Sequence, residues 1–138
     1  MATYSGELRL TTAGDGDTID LTEGVERVVA QSGATEGVVT VFVPGSTAAI
    51  TTMEFERGGV QDLKVTLDRL IPPEGDYEHN RLNHDSNSHA HMRAAIVGPS
   101  QTIPLKEGTL RLGLWQQVVL LDFDDRPRER TVVVTVTS

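Results

Sequence analysis

The amino-acid sequence predicts a single α+β domain, residues 1–138, that is rich in β-strands. Its sheets are expected to pack in a sandwich-like arrangement with about three helices. Three observations predict this fold. The chain has 138 residues, the length of one domain. Short runs of valine, isoleucine and leucine have the pattern of strands, and between some of them apolar residues recur at helical spacing. Interspersed helices followed by a β-rich end are typical of α+β folds.

The first half of the chain is predicted to alternate strands and helices. Residues 4–11 form a weakly alternating strand, and a glycine-rich turn follows it. Asp20 and Glu23 have the spacing of a capping box, and the helix behind them ends at Gly33. We therefore expect a strand, a turn and a first helix in this order.

The most β-like run of the chain is residues 36–44, EGVVTVFVP. Because its valines and phenylalanine are nearly continuous, it predicts a strand buried on both faces. After a sharp turn at Gly45 and Ser46, residues 47–54 continue as another strand. Gly58 and Gly59 then open a second helix, which two consecutive prolines end at residues 72–73.

The second half begins with a short helix and ends in strands. Residues 92–97 have a helical pattern, with Asn87 or Ser88 as the N-cap and Gly98 as the stop. Strands are predicted at residues 102–105 and 109–112, and at residues 114–123, which include the single tryptophan, Trp115. The last predicted strand, residues 128–137, alternates with valine at every second position.

Composition excludes several classes of function. Twelve Lys and Arg against 20 Asp and Glu give a net charge of −8, whereas a nucleic-acid-binding surface is basic, so no nucleic-acid partner is expected. There are no cysteines, hence neither disulfides nor thiolate ligands. The sequence has neither a signal-peptide pattern nor a run of about 20 apolar residues. We therefore expect a cytoplasmic protein without a membrane partner.

Histidine is concentrated in one segment, residues 77–97, which holds all four histidines of the chain. Two interpretations are open: a metal or acid–base site, or a solvated polar loop. Neutral imidazole is a common zinc ligand, and nearby polar side chains can orient the rings. The histidines are His79, His84, His89 and His91, and the polar neighbours are Asp85, Asn87 and Ser88.

The spacing of these histidines limits which of them can share one ion. His89 and His91 share a face on an extended segment, but not on a helix. If the helix begins at residue 87 or 88, His91 lies in its first turn and His89 points elsewhere. A further ligand is then expected from a residue distant in sequence, and His79 is the first candidate.

Three other places carry candidate site residues, each with a structural alternative. Ser46 and Thr47 follow Gly45 in a turn and can bind an oxyanion, or the turn simply joins two strands. Glu54 stands at the end of its predicted strand, where it can serve as a base or ligand, or as a surface carboxylate. Trp115 and Gln116 can line a pocket, although a single tryptophan is often a core or interface residue.

An alternating basic row marks the start of the last strand: Arg126, Arg128 and Arg130. Side chains two residues apart on a strand share a face, and guanidinium groups match phosphate oxygens. The alternative is that the arginines form ion pairs with the carboxylates of Asp122, Asp124 and Asp125.

Taken together, these residues resemble the YjbQ family, the secondary thiamine-phosphate synthase enzymes. The resemblance covers about two-thirds of the chain, from Pro44 to Val136. It rests on the motifs STAAI at residues 46–50 with Glu54, YEH at 77–79, NSHAH at 87–91, GPS at 98–100, LGLWQ at 112–116 and RPR at 126–128. It implies a homotrimer of small α+β domains, with pockets between subunits that hold a histidine-bound metal.

The sequence departs from the family pattern at three positions. Gly45 stands where many members have a histidine, Met53 where an asparagine is usual, and Leu114 where a threonine is usual. If the family histidine is a ligand, this chain replaces it, and His89 is the nearest substitute. His84 has no counterpart in the pattern and is left out of the site.

The resemblance and the residues together predict a trimer that binds a divalent metal, zinc in the first instance, through His79, His89 and His91. A phosphorylated small molecule would meet Arg126 and Arg128, and the candidate catalytic residues are Glu54, Asp85, Ser46 and Thr47. The activity that the resemblance implies is weak thiamine-phosphate synthase chemistry, which joins a pyrimidine diphosphate to a thiazole phosphate. The alternatives are a metal-dependent hydrolase of a phosphorylated small molecule and a non-enzymatic metal- or ligand-binding protein.

Overall fold

Two antiparallel sheets and four helices make up the fold in a computed structural model that describes residues 2–138. The five-stranded sheet has the order β1-β8-β3-β5-β6, with β1 (Thr3–Thr12), β3 (Glu36–Phe42), β5 (Ser100–Lys106), β6 (Thr109–Leu110) and β8 (Arg128–Thr137). The three-stranded sheet has the order β2-β7-β4, with β2 (Asp17–Asp20), β4 (Ala48–Met53) and β7 (Gln117–Asp122). The helices are α1 (Thr22–Ser32), α2 (Arg57–Leu70), α3 (Glu78–Asn83) and α4 (Ser88–Val97).

The main hydrophobic core lies between the two sheets and under α1. Val41 and Val134 of the five-stranded sheet belong to the same buried cluster as Ile50 and Leu120 of the three-stranded sheet, and Val25 of α1 joins them. All five side chains are fully buried, and burial of each such side chain stabilises the fold by about 1.5–3 kcal/mol. A smaller cluster covers the other face of the three-stranded sheet, where residues of α2 and α4 pack on β7.

The prediction that residues 36–44 are buried on both faces is wrong. Val39 and Val41 are fully buried, whereas Val38 and Phe42 of the same strand are about 40% exposed (40% and 39%). The reason is that α1 and the three-stranded sheet pack on one face of the five-stranded sheet, which leaves its opposite face open. Valine and phenylalanine favour strands on either face, so the run of apolar letters does not show which face is covered.

Helix boundaries follow the predicted signals, with one change at the first helix. Gly33 ends α1 in the left-handed conformation (φ 71°), as predicted. The helix begins at Thr22, and the Asp20 carboxylate accepts from the Thr22 backbone N–H (2.9 Å) and hydroxyl (2.7 Å), rather than from the third residue of a capping box. Asp17–Asp20, immediately before it, forms the unpredicted strand β2, which pairs with β7.

The histidine segment contains two helices where one was predicted. The helix after Asn87 is α4, and it ends at Gly98 as expected. The second is the six-residue helix α3, which carries His79. A helix this short has little intrinsic stability, so its sequence gives a weak periodic signal and tertiary contacts determine its structure.

The strand predicted at residues 114–123 begins only at Gln117. Leu114 and Trp115 lie in the preceding turn and are 82% and 70% exposed, so the tryptophan is not a core residue of the chain. The Gln116 side chain closes this turn, because it accepts from the Gly113 N–H (3.0 Å) and donates to the Thr52 hydroxyl (3.0 Å). Among residues 2–138 there is no helix of the length and apolar character needed to cross a bilayer.

Candidate functional site

The candidate site lies where the turn before β4 meets the helices α3 and α4. Its first contact joins the turn to α4: the ring Nδ1 of His91 lies 3.1 Å from the Ser46 backbone carbonyl oxygen. A carbonyl oxygen can only accept, so Nδ1 carries the proton of the neutral ring and Nε2 carries the lone pair. The turn thus sets the tautomer of His91 and prepares Nε2 to bind a proton or a metal ion.

His79 and His91 face each other across this site. Their ring centroids are 4.7 Å apart, and the rings meet edge to face at 62°. The Nε2 atom of His79 lies 3.1 Å from Asn87 Oδ1 and 3.7 Å from the Asp85 carboxylate. Asn87 therefore orients His79, as the sequence suggested, and the Asp85 carboxylate lies within ion-pair distance of the same ring nitrogen.

His89 does not join the other two rings. It lies two residues before His91 on α4, which places the two side chains on different sides of the helix. Its side chain is buried and its Nδ1 has no hydrogen-bond partner. Burial lowers the pKa of His89, and the nearby Arg93 lowers it further, against the opposing effect of the acidic residues around Asp124 and Asp125. His89 is consequently a neutral, buried group.

The three histidines therefore do not assemble as one ligand set in a single chain. Within residues 2–138, no three His, Asp or Glu side chains converge on a point where an ion could sit. The contact between His79 and His91, with Asp85 beside it, is the part of the predicted set that the fold brings together. Donors for a complete coordination shell would have to come from beyond this set.

The arginine row is largely engaged in ion pairs. Arg130 Nε and Nη2 donate to the Asp122 carboxylate at 2.7 and 2.9 Å, and the two side chains are 9% and 0% exposed. Arg128 Nε donates to Asp124 at 2.8 Å. Arg126 contacts Asp125 at 3.2 Å but remains half exposed. The ion-pair interpretation thus describes Arg128 and Arg130, and Arg126 is the arginine most open to a ligand.

Thr47 belongs to this buried network rather than to an open oxyanion site. Its hydroxyl donates to Asp124 (3.1 Å) and accepts from Arg130 (2.8 Å), so both functions of the hydroxyl are used. Burial would by itself raise the pKa of Asp124, but hydrogen bonds from the Asp125 N–H, Arg128 and Thr47 outweigh it and hold the pKa at about 2. The hydrogen bond and charge of Asp122 raise the pKa of Arg130 in turn.

Glu54 lies away from the histidine pair. It follows β4, whereas Ser46 precedes it, and six residues of strand span about 20 Å. Trp115 and Gln116 are at the same end as Glu54, because Gln116 bonds to Thr52. The predicted site residues therefore occupy two separate ends of β4 in one chain.

Arg93 is a buried charged residue that the sequence reasoning missed. It is 3% exposed and donates to Asp68 (3.1 Å) and to the Ile71 carbonyl (2.7 Å), tying α4 to the end of α2. Its guanidinium carbon lies 5.9 Å from the centroid of the Phe123 ring. In the sequence, Arg93 is the single charged residue of the otherwise apolar residues 92–97, and this pattern could have indicated a buried arginine.

Known proteins resemble this chain over nearly its whole length. A sequence model of the family described as "UPF0047 protein YjbQ-like" matches residues 6–138. A UPF0047 protein of Archaeoglobus fulgidus is 41% identical over 128 residues, which are 93% of this chain and 97% of that protein. A UPF0047 protein of Methanothermobacter thermautotrophicus is 36% identical over 138 residues, 100% of this chain and 94% of that protein.

Solved structures show the same fold. A YbjQ-like protein of unknown function from Sulfolobus solfataricus superposes with a TM-score of 0.93 at 33% identity, covering 98% of this chain and 96% of that one. An uncharacterized conserved protein of the YjbQ/UPF0047 family from Clostridium acetobutylicum gives a TM-score of 0.88 at 38% identity, covering 96% and 99%.

Proposed function

Because the chain belongs to the YjbQ-like UPF0047 family, we propose that it is a divalent-metal-binding homotrimer that acts on a small phosphorylated molecule. The observation that supports this proposal most directly is the His79–His91 contact, with Nδ1 of His91 held by the Ser46 carbonyl. In this arrangement Nε2 of His91 is the lone-pair nitrogen, as a metal ligand requires.

The metal set in this proposal is His79 and His91, with zinc as the first candidate ion. One chain does not supply three converging ligands, so a neighbouring chain of the trimer supplies a further donor. To bind the ion through Nε2, His79 must give up its hydrogen bond to Asn87, and Asp85 remains near its ring. When bound, a divalent ion supplies Lewis-acid stabilisation of developing negative charge.

The charge around the site favours binding of a cation before binding of an anion. Arg128 and Arg130 are neutralised by buried carboxylates, and the exposed Arg126 lies near both Asp125 and Asp85. A phosphate group approaching Arg126 alone would therefore meet several carboxylates, whereas a bound cation would offset them. We expect phosphate binding at this site to depend on prior metal binding.

The reaction class in this proposal is the expulsion of pyrophosphate from a pyrimidine diphosphate as it couples to a thiazole phosphate. Arg126 would contact the departing phosphate oxygens through charge-assisted hydrogen bonds. Asp85, whose carboxylate lies 3.7 Å from the His79 ring, can hold or pass a proton beside the reacting group. Glu54 enters this site only from a neighbouring chain, since within one chain it lies beyond the far end of β4.

Metal titration tests the proposal. Wild-type protein freed of metal should take up about one zinc ion per chain, and His91→Ala should lose this uptake. The matched control is His84→Asn, because His84 is an exposed histidine in the same segment and asparagine tolerates its left-handed backbone (φ 51°). Equal zinc uptake by His91→Ala and wild type would refute the site.

Turnover then separates the possible functions. Coupled product and pyrophosphate, formed only with metal and reduced in Arg126→Met, would support the synthase reaction. Release of inorganic phosphate from a panel of phosphoesters would identify the hydrolase instead. Metal uptake without either reaction would leave a metal-binding protein, and it would contradict the catalytic part of the proposal.

A further inference from the structure

The outer edge of β1 has no partner strand within residues 2–138. Its pairing with β8 runs without interruption from Thr3 to Thr12. The backbones of Ala2 and Ser138 exchange two hydrogen bonds (3.2 and 3.0 Å), which shows which residues of the strand direct their backbone groups toward β8. Even-numbered residues consequently bond to β8. Backbone N–H and C=O groups point outward from the free edge at Thr3, Ser5, Glu7, Arg9 and Thr11.

This edge lacks the features that usually prevent strand pairing. Edge strands are commonly protected by proline, a bulge, short length or a row of like charges. β1 has ten residues, no proline and a continuous register. Its two charged residues, Glu7 and Arg9, have opposite sign and form an exposed ion pair at 3.6 Å. The strand is therefore neutral in a chain whose net charge is −8.

We infer that β1 pairs antiparallel with β1 of a second copy of this chain, with Leu8 opposite Leu8 across a twofold axis. In this register Glu7 of each copy faces Arg9 of the other, so both charged residues gain an opposite charge. Pairing centred on Glu7 would place the two glutamates opposite each other, and pairing centred on Arg9 would do the same with the arginines. Like charges directly opposite are unfavourable, which disfavours these two registers, and only the register centred on Leu8 places both Glu7 and Arg9 opposite an opposite charge.

The hydrogen-bond phase agrees with this register. Glu7 opposite Arg9 is a pair of odd-numbered residues, and these are the residues whose backbone groups point outward. Leu8 opposite Leu8 is then a non-hydrogen-bonded pair, in which the Cα atoms are about 4.5 Å apart. The two five-stranded sheets would become one continuous ten-stranded sheet.

The surface beside the edge has space for the second strand. A groove of about 480 Å³ lies between β1 and α1, and Leu8, Leu10 and Val28 are among the residues that line it. Leu8 and Leu10 are only partly buried in the single chain. The inward-facing leucines of the second copy would enter this groove and cover them.

Cross-linking tests the register directly, because the chain has no cysteine of its own. Leu8→Cys should give a covalent dimer on mild oxidation, since a Cα separation near 4.5 Å is within the disulfide range of about 4.4–6.8 Å. Ser5→Cys is the matched control: in this register two Ser5 residues lie about 20 Å apart, six residues along the strand, and should not link. Equal linking of the two variants, or no linking of a folded Leu8→Cys protein, overturns the inference.

Charge reversal gives a second test that leaves the interior of the protein unchanged. Because this twofold contact joins two copies of the chain, or two of the proposed homotrimers, light scattering should give a wild-type mass of two or six chains of 15.0 kDa. Glu7→Arg and Arg9→Glu should each weaken the contact at least about tenfold and halve the mass, and the double variant should restore it. Glu7→Arg lowers the overall negative charge, so its dissociation cannot come from general repulsion. A wild-type mass of one or three chains, or a double variant that stays halved, refutes the pairing. A mass of three chains leaves the proposed homotrimer and its metal site intact.

Discussion

Replacing Arg130 by methionine should destabilise the protein strongly, because it leaves a buried charge without its partner. The Asp122 carboxylate is 0% exposed and accepts two hydrogen bonds from the Arg130 guanidinium, at 2.7 and 2.9 Å. Without them it retains the Thr12 hydroxyl (2.6 Å) and the Asp124 N–H (3.1 Å). Methionine keeps much of the side-chain volume, so the change mainly removes charge and hydrogen bonds.

The expected cost is about 3–5 kcal/mol of unfolding free energy, the usual effect of removing one partner of a buried ion pair. For a chain of this length that corresponds to a decrease of roughly 10–17 °C in melting temperature. Arg126→Met is the matched control. Arg126 is 52% exposed and its contacts with Asp125 and Asp85 are at the surface, where solvent screens them, so its loss should change the stability little.

Urea unfolding at pH 7, followed by circular dichroism, measures both variants. Adding Asp122→Asn to Arg130→Met removes the unpaired charge and should recover part of the loss, whereas a pure packing defect would not be rescued. A cost below about 1 kcal/mol for Arg130→Met, or equal costs for the two arginine variants, would refute the buried-charge argument.

Three further predictions follow from the same structure. The folded-state pKa of Asp124 is about 2, below its ordinary value of 3.8. Ionised Asp124 therefore adds about 2 kcal/mol to the unfolding free energy above pH 4, and this contribution is lost as the pH falls from 4 to 2. The unfolding free energy of Asp124→Asn should depend less on pH in that window, which urea unfolding at stepped pH measures. Gly37→Ala should lower the unfolding free energy by more than about 2 kcal/mol, because φ of Gly37 is 137° and a Cβ there would lie 2.1 Å from the Thr137 carbonyl oxygen. Gly33→Ala has open space around it and should lower the unfolding free energy by about 1 kcal/mol. Similar melting temperatures for the two variants would contradict this. Arg128→Ala should lower the melting temperature and leave pyrophosphate affinity unchanged in calorimetry, because Asp124 engages its guanidinium; a tenfold loss of affinity would instead assign Arg128 to the ligand.

Local patterns in the sequence predicted most of the secondary structure. Alternating valines predicted β8 over its full length, and Gly33 and Gly98 marked the ends of α1 and α4 correctly. These signals depend on a few neighbouring residues, so they can be read without knowing the tertiary contacts. The family resemblance, carried by motifs spread over two-thirds of the chain, is likewise confirmed by a match to residues 6–138.

Elements whose structure depends on distant contacts were less predictable. β2 is four residues long and is held by pairing with β7, about 100 residues later in the chain. Trp115 was placed in a strand, but Gln116 bonds to Thr52 and holds the tryptophan in an exposed turn. Neither contact leaves a periodic signal in the local sequence.

The sequence by itself determined that the histidines form a cluster and that arginines alternate beside acidic residues. Only the tertiary structure decided which of these groups meet. Because α4 begins at Ser88, His89 and His91 point to different sides, and the chain reversal that brings α3 beside α4 places His79 against His91 instead. Spacing along the chain limits which side chains can share a face, whereas the distance between two helices or a turn and a helix is set by how the sheets and helices pack.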